Sequence, residues 1–160
     1  MFHASQNAGW RARVGPEGIG DQNGWSPGPG DFVAVILVVE DEVFVREMAE
    51  AMVDDFGHLC LSACGVEEAL QHLQSPQHID AMFTDIRLNS SILGGFEIAI
   101  EAVKLRPQLR VLYTTGSTIS DEMKALFVDG AHLIQKPYTQ NQLQYSVEAL
   151  LAAALPSRLN

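Results

Sequence analysis

The sequence predicts an α/β fold built on a doubly wound, parallel, five-stranded sheet with five helices. Short apolar runs that end on a carboxylate, such as residues 33–39 before Glu40 and residues 79–85 with Asp85 as their last residue, are typical of buried parallel strands. Stretches with helical spacing of apolar residues follow these runs, and the alternation indicates crossover connections rather than hairpins. The chain has 160 residues and 47% hydrophobic content, which is enough for one buried core.

The boundaries of the predicted elements follow from apolar spacing and from residues that begin or end helices. Strands are expected at residues 33–39, 59–63, 79–85, 110–114 and 133–135. Helices are expected at residues 42–56, 65 to about 75, 96–105, 120–128 and 139–155. Gly57 suits the C′ position after the first helix, Pro107 stops the third, and Thr139 is expected to cap the last.

Glycine and proline crowd the start of the chain without any apolar periodicity. Such a segment buries too little surface to offset its ordering entropy, so residues 1–31 are expected to form a disordered arm. Residues 32–155 form the predicted domain, and residues 156–160 form a short tail. Because so little chain follows the last helix, we expect a stand-alone domain without a DNA-binding or catalytic output domain.

Composition excludes several classes of function. A formal charge of −10 and a pI near 4.7 argue against nucleic-acid binding by this chain alone. No apolar run approaches the roughly 20 residues that span a bilayer, so we expect no membrane partner. Only Cys60 and Cys64 occur, which argues against a disulfide framework or a zinc site. We expect both thiols in the core of a cytoplasmic protein.

Carboxylates follow two of the predicted strands at the point where each strand ends. Glu40 and Asp41 come after the first strand, and Asp85 closes the third. Ligands of open α/β sheets bind beyond the carboxyl ends of the strands, so these three side chains should meet there. Without a counter-charge they would repel one another, and a cluster of carboxylate oxygens suits Mg²⁺ better than zinc. The sequence therefore predicts a magnesium site.

The same strand ends carry further motifs, and together they resemble the receiver domain of two-component response regulators. Glu40-Asp41, Asp85, Thr115-Gly116 and Lys136-Pro137 follow the first, third, fourth and fifth predicted strands in the family's order. The resemblance covers residues 33 to about 155. It implies the strand order 2-1-3-4-5 and a signalling domain that catalyses only its own phosphorylation and slow dephosphorylation.

The resemblance implies a role for each acidic residue. Asp85 would accept a phosphoryl group from a phosphohistidine and form an acyl phosphate. Asp41 and Asp85 would bind Mg²⁺ directly, Glu40 would hold a water on the metal, and the carbonyl oxygen of Arg87 would add a ligand. The metal would bridge the carboxylates and the phosphoryl group.

The resemblance also assigns residues on the last two strands. Thr115 would donate its hydroxyl, and Lys136 its ammonium, to the phosphoryl oxygens. Pro137 would follow a cis peptide bond that aims Lys136. Many receivers carry an aromatic switch residue where this chain has Leu133, and we expect Leu133 to fill the inner site by apolar packing. Phosphorylation would then act by reordering residues 117–121 and the following helix directly.

One departure from the family pattern lies beside the site. Gly94-Gly95 comes later after Asp85 than the family's usual glycine, which implies about two extra residues in the loop at 89–95. The geometry of that loop is therefore not given by the resemblance.

Three rival functions can be weighed against the receiver. A haloacid-dehalogenase-type phosphatase needs a second aspartate two residues after the first, where this chain has Arg87. A flavodoxin-like nucleotide binder needs a glycine-rich loop after the first strand, where Glu40-Asp41-Glu42 would repel phosphate. The third rival is a receiver-like interaction module that is never phosphorylated. A beryllofluoride titration with Mg²⁺ would distinguish it from the receiver.

The expected partners are proteins. A histidine kinase or a histidine phosphotransfer protein would supply the phosphoryl group, and the domain would act as a shuttle, as a sink or by binding an effector. Phe44 and Met48 lie on the first predicted helix near Asp41, at the edge of its apolar stripe. We hypothesise that they dock against the helix that carries the phosphohistidine.

Overall fold

The computed structural model describes residues 32–153, so the predicted arm at 1–31 and the tail at 156–160 lie outside the described residues. Within them, a five-stranded parallel sheet has the order β2-β1-β3-β4-β5, which confirms the predicted fold. The strands are β1 Val35–Val39, β2 Leu59–Ala63, β3 Ala81–Asp85, β4 Arg110–Thr115 and β5 His132–Gln135. The helices are α1 Val43–Asp55, α2 Val66–Gln74, α3 Gly94–Leu105, α4 Asp121–Lys124 and α5 Gln140–Ala152.

The helices cover both faces of the sheet, and each face has its own apolar core. Ala49 and Val53 of α1 share one core with Leu143 and Val147 of α5. The other core contains residues of α2 and α3, together with the opposite side chains of the same strands. The middle strand, β3, is buried over its whole length because it is covered on both faces and paired on both edges.

The helix ends show why the sequence breaks where it does. Gly57 follows α1 with φ of 81°, a conformation that glycine adopts without steric cost. Thr139 caps α5: its hydroxyl accepts from the main chain of Gln142, and the Gln142 side chain accepts from the Thr139 N–H. Both positions were predicted from the sequence.

Helix α3 begins at Gly94, two residues before the predicted start at Phe96. Gly95 lies so close to β3 that an added Cβ would collide with the carbonyl oxygen of Asp85 and lie 2.6 Å from Cα of Ile86. The Gly95 N–H donates to the Ile86 carbonyl at 2.9 Å. These glycines are thus part of the first helical turn, where they permit a close approach of two main chains.

Helix α4 is much shorter than the predicted 120–128. Ser120 caps it as an N-cap should, but regular helix ends at Lys124. The chain then tightens, because Leu126 and Phe127 donate to carbonyls three residues back. Packing explains the change: the Phe127 ring contacts Phe96 and Tyr113, with ring centroids 5.7 Å and 4.7 Å apart.

Two smaller findings concern the cysteines and the membrane. Cys60 is half-buried on β2, whereas Cys64 lies after the strand and is exposed, so the prediction that both are core thiols is wrong for Cys64. Both are free thiols. Among the helices between residues 32 and 153, none combines the length and apolar character that crossing a bilayer requires.

Candidate functional site

The carboxyl ends of four strands bring the predicted site residues together. Lys136, which follows β5, places its Nζ 2.7 Å from Oε2 of Glu40 and 2.7 Å from Oδ2 of Asp85. Glu40, Asp85 and Thr115 are buried, with exposed fractions of 3%, 6% and 3%. Parallel strands all end at one edge of the sheet, which is why residues so distant in sequence meet here.

Hydrogen bonds to the main chain and to the side chain fix Glu40 in the turn between β1 and α1. Its N–H donates to the Ala63 carbonyl at 3.1 Å, and its carbonyl accepts from Nη1 of Arg46 at 2.8 Å. Its side-chain Oε1 also accepts from the Glu42 N–H at 3.2 Å. The role of Arg46 was not predicted, because nothing in its helical spacing shows that its side chain returns to this turn.

Asp85 is fixed by hydrogen bonds to both carboxylate oxygens. Oδ1 accepts from the main-chain N–H of Arg87 at 3.1 Å, and Oδ2 accepts from Lys136. Arg87 lies directly in the loop after β3, and its side chain is exposed. The structure thus places Arg87 beside Asp85, and the role of the Arg87 carbonyl as a metal ligand stays a prediction.

Thr115 and Pro137 have the predicted positions at the ends of β4 and β5. The Thr115 hydroxyl accepts from the Ser117 N–H at 3.1 Å and donates to the Ser117 carbonyl at 3.3 Å. The Thr115 carbonyl accepts from the Lys136 N–H at 2.8 Å, which aligns the two strand ends. The peptide bond between Lys136 and Pro137 is cis, as the resemblance implied.

Burial and charge act in opposite directions on the central pair. Burial raises the pKa of Glu40 above its ordinary value, and hydrogen bonds from Lys136 and from the Glu42 N–H offset this only in part. Burial lowers the pKa of Lys136, but hydrogen bonds to Asp85 and Glu40 outweigh burial, so that its pKa lies above the ordinary value. Lys136 is therefore a cation at neutral pH.

The acidic residues fit a hard divalent cation. Glu40, Asp41 and Asp85 each offer one carboxylate oxygen, and these oxygens lie within 4.8 Å of one another. The ammonium of Lys136 pairs with Glu40 and Asp85, and its single positive charge leaves negative charge in the cluster for a cation to balance. Carboxylate oxygens are the ligands that Mg²⁺ prefers.

An open cavity of about 380 Å³ gives access to this cluster. Its lining comes from the β1–α1 turn and from the loops that follow β3, β4 and β5: Asp41, Glu42, Asp85, Arg87, Ser90, Gly116, Ser117 and Lys136. The lining is polar and combines both signs of charge. Such a site suits a small charged group better than an apolar ligand.

The prediction for Leu133 is wrong. Its side chain is 38% exposed rather than packed in an inner site, because β5 is an edge strand of the sheet. Tyr113 of β4, which is the partner of Leu133 in the sheet register, is buried instead, and its hydroxyl accepts from the Val128 N–H at 3.4 Å. An aromatic residue two positions before Thr115 was visible in the sequence, but its contacts were not.

The predicted docking residues lie on the surface at the start of α1. Phe44 is 84% exposed and Met48 is 49% exposed. Val43, which the prediction did not include, is also exposed. The helix begins directly after Asp41 and Glu42, which line the cavity, so an apolar surface adjoins the site.

Comparison with known proteins identifies the family. The sequence profile of the response regulator receiver domain matches residues 36–148. The chain belongs to the response regulator receiver family. A receiver protein from Sinorhizobium medicae has a similar structure, with a TM-score of 0.70 and 28% identity over 77% of this chain and 98% of that chain. NtrX from Brucella abortus reaches a TM-score of 0.69 and 29% identity over 77% of this receiver and 28% of NtrX.

Curated relatives of this receiver are longer than the chain. A probable transcriptional regulator, ycf27, from Porphyridium aerugineum is 26% identical over 116 residues, which cover 72% of this chain and 47% of the relative. The protein of the same name from Cyanophora paradoxa is 25% identical over an equal share of each chain. The receiver thus spans about half the length of these relatives, and the expectation of a stand-alone protein stays a prediction.

Proposed function

We propose that this receiver accepts a phosphoryl group on Asp85 from a phosphohistidine, in a reaction that depends on Mg²⁺. The observation that carries the proposal is the position of Asp85, which ends β3 inside the cavity, within 2.7 Å of Lys136 and in one cluster with Asp41. A nucleophilic carboxylate, a fixed cation and a metal-binding carboxylate are the groups that phosphoryl transfer requires.

In the proposed reaction a carboxylate oxygen of Asp85 forms a bond to phosphorus while the phosphorus–nitrogen bond of the donor breaks. The bonding electrons leave with the imidazole nitrogen, which then takes up a proton from solvent. Lys136 supplies a fixed positive charge for the phosphoryl oxygens. The Thr115 hydroxyl donates a hydrogen bond to the Ser117 carbonyl in the structure, and it would turn to donate to a phosphoryl oxygen instead.

Glu40, Asp41 and Asp85, with the carbonyl of Arg87, are the groups that would hold Mg²⁺. When bound, the metal would neutralise charge on the transferring group.

We propose protein partners on both sides of this reaction. A histidine kinase or a histidine phosphotransfer protein in the cytoplasm would donate the group and contact Phe44 and Met48. The phosphorylated domain would pass the group on, serve as a sink or bind an effector. A change in residues 117–121 and α4 remains the proposed readout, since the Thr115 hydroxyl already bonds to Ser117 in that loop.

The alternative is a receiver-like module that binds partners without phosphorylation. One observation favours it: Lys136 already bonds to both Glu40 and Asp85, so the buried pair is satisfied without a ligand. A titration with beryllofluoride and Mg²⁺, followed by NMR, separates the two functions.

If Asp85 is the phosphoacceptor, NMR chemical-shift changes should be centred on Asp85, Thr115 and Lys136. These changes should saturate, and they should require both Mg²⁺ and beryllofluoride. Asp85→Asn, which keeps the size of the side chain, should abolish them, and it should also abolish the mass gain with acetyl phosphate. A folded parent protein that shows neither response would leave the interaction module as the function.

A further inference from the structure

The loop after β3 contains a tight turn whose two central residues have left-handed main chains. Asn89 has φ of 49° and Ser90 has φ of 66°. Leu88 and Ser91 flank them and exchange both main-chain hydrogen bonds, at 3.2 Å and 2.8 Å. This is the pattern of a two-residue hairpin turn of type I′. We call residues 88–91 the hairpin turn; they overlap the loop at 89–95, where comparison with the family pattern implies about two extra residues.

The hairpin turn reaches two other elements through Asn89. The Asn89 N–H donates to Oδ2 of Asp41 at 3.0 Å, between residues 48 positions apart in the chain. The Asn89 side chain lies against Gly65, at the start of α2, so closely that a Cβ on Gly65 would collide with its Nδ2. Gly65 has an extended main chain with φ of 176°, which any residue adopts, so its requirement for glycine here comes from space alone.

We propose that Asn89 is a positioning residue for the metal-binding carboxylate of Asp41. Its N–H holds one oxygen of Asp41, and its side chain, seated on Gly65, holds that N–H in place. Among the described residues, this is the hydrogen bond that the Asp41 side chain accepts, and that side chain is only half-buried. The inference rests on the proposed function, because Asp41 needs orientation only if it binds a cation.

The physical reason is preorganisation. Three carboxylates within 4.8 Å repel one another, and an untethered Asp41 would turn towards solvent. A hydrogen bond to one oxygen keeps the carboxylate in the cluster and leaves the other oxygen for the cation. Groups that orient metal ligands in this way typically change metal affinity by about 10–100-fold when they are lost.

A double-mutant cycle tests the inference with Mg²⁺ as the probe and isothermal titration calorimetry as the readout. Gly65→Ala adds a Cβ that must displace the Asn89 side chain, and we expect Mg²⁺ to bind about tenfold more weakly. Asn89→Gly keeps the N–H, suits the positive φ and removes the side chain, so it should also weaken binding. In the Asn89→Gly background, Gly65→Ala should have no further effect, since nothing remains to be displaced.

The outcomes separate this inference from the proposed function. A parent protein that does not bind Mg²⁺ would contradict both. A parent that binds Mg²⁺, with variants that bind equally well, would overturn the positioning role alone. So would a further loss from Gly65→Ala in the Asn89→Gly background, because the loss would then come from the start of α2. If Gly65→Ala fails to fold, unchanged affinity in Asn89→Gly is by itself sufficient to overturn the role.

Discussion

At the scale of single residues, one arginine outside the site joins two elements through the main chain. The guanidinium of Arg106, just after α3, donates to four carbonyls at the end of α2 and in the turn after it. They belong to Leu73 at 2.9 Å, Gln77 at 2.7 Å, Ser75 at 2.8 Å and His72 at 3.3 Å. The last carbonyls of a helix have no partner within the helix, so Arg106 satisfies them and opposes the negative end of the helix dipole.

We therefore expect Arg106→Ala to lower the free energy of unfolding by about 1.5–3 kcal/mol, the usual range for hydrogen bonds to a charged group. Arg106→Lys should recover only part, because an ammonium lacks the planar fork that reaches several carbonyls. Urea unfolding measures both. Lys104→Ala, which removes an exposed salt bridge to Glu101 on the same helix, is the matched control, with an expected change of less than about 0.5 kcal/mol. Equal losses from Arg106→Ala and Lys104→Ala would contradict the stabilising role of Arg106.

The side chain of His58 is expected to make the stability of the folded protein depend on pH. Its Nδ1 accepts from the Ala34 N–H at 3.3 Å, which requires an unprotonated nitrogen. Burial lowers the pKa of His58 and outweighs the attraction of Glu148 and Asp80 for the protonated ring. The unfolded chain then binds this proton more readily than the folded protein, so stability is lost as the pH falls through about 6.5.

His58→Asn tests this linkage, because the amide oxygen can accept the same hydrogen bond but does not titrate. Between pH 7.5 and pH 5.5 the melting temperature of the parent should fall further than that of the variant. Thermal unfolding followed by circular dichroism measures the difference. If the two proteins lose the same number of degrees, His58 does not carry the pH dependence.

At the scale of elements, the start of α3 couples the fold to the site. Gly95 brings the helix against the carbonyl of Asp85, and a Cβ there meets main chain that cannot rotate away. Gly95→Ala must therefore move either α3 or the end of β3. We expect a loss of about 1–3 kcal/mol, the typical cost of overpacking, together with weaker Mg²⁺ binding.

The control for this prediction is Gly116→Ala, since a Cβ on Gly116 would meet nothing within 4 Å. Urea unfolding should place this control within about 0.5 kcal/mol of the parent. A Gly95→Ala protein as stable as the Gly116→Ala control would show that α3 can shift without cost.

The elements also show which parts of the molecule the sequence could predict. β2 was predicted at its observed bounds. The ends of β1 and β3 were also correct, because an apolar run that ends on a carboxylate marks the buried part of a strand. The start of α3 was missed because glycine pairs are typical of loops, and the sequence does not show that Gly94 and Gly95 contact β3. The end of α4 was missed because the Phe127 ring, packed on Tyr113, overrides helix propensity.

Some residues of the candidate site could be predicted from the sequence, and others could not. Residues placed by strand ends, such as Asp85 and Lys136, were predictable because topology fixes where strands end. Contacts made by side chains or loops that cross between elements were not. The bond from Asn89 to Asp41 is one case, and the outward position of Leu133 is another. Both depend on loop geometry that local spacing does not encode.

At the scale of the whole molecule, the acidic cluster links metal binding to stability. A cation that binds the folded state but not the unfolded chain stabilises by mass action, by about 2.7 kcal/mol at one hundred times its dissociation constant. We expect millimolar Mg²⁺ to raise the melting temperature of the parent protein. Asp41→Ala should abolish most of the rise, because it removes one of the three carboxylates that would hold the cation.

Glu47→Ala is the control for this measurement. It removes the same charge from an exposed position on α1 outside the cluster, and its response to Mg²⁺ should equal that of the parent. A parent protein whose melting temperature ignores Mg²⁺ would contradict the metal site.

The last prediction concerns how the molecule meets its phosphoryl donor. Phe44 and Met48 expose apolar surface on the first turns of α1, beside the cavity that contains Asp85. Exposed apolar groups next to a reactive site indicate a surface that a partner covers. Phe44→Ser and Met48→Ser should leave stability within about 0.5 kcal/mol of the parent, because these side chains are largely exposed.

Each variant should slow transfer from a cognate kinase or phosphotransfer protein by about tenfold, the effect of losing 1–2 kcal/mol at an interface. Phosphorylation by acetyl phosphate should be unchanged, because a small donor reaches Asp85 without covering α1. Tyr145→Ser, at a position 75% exposed on α5, is the matched control and should affect neither donor. Equal losses with both donors would place Phe44 and Met48 in the chemistry of the site, and unchanged transfer with both would exclude them from docking.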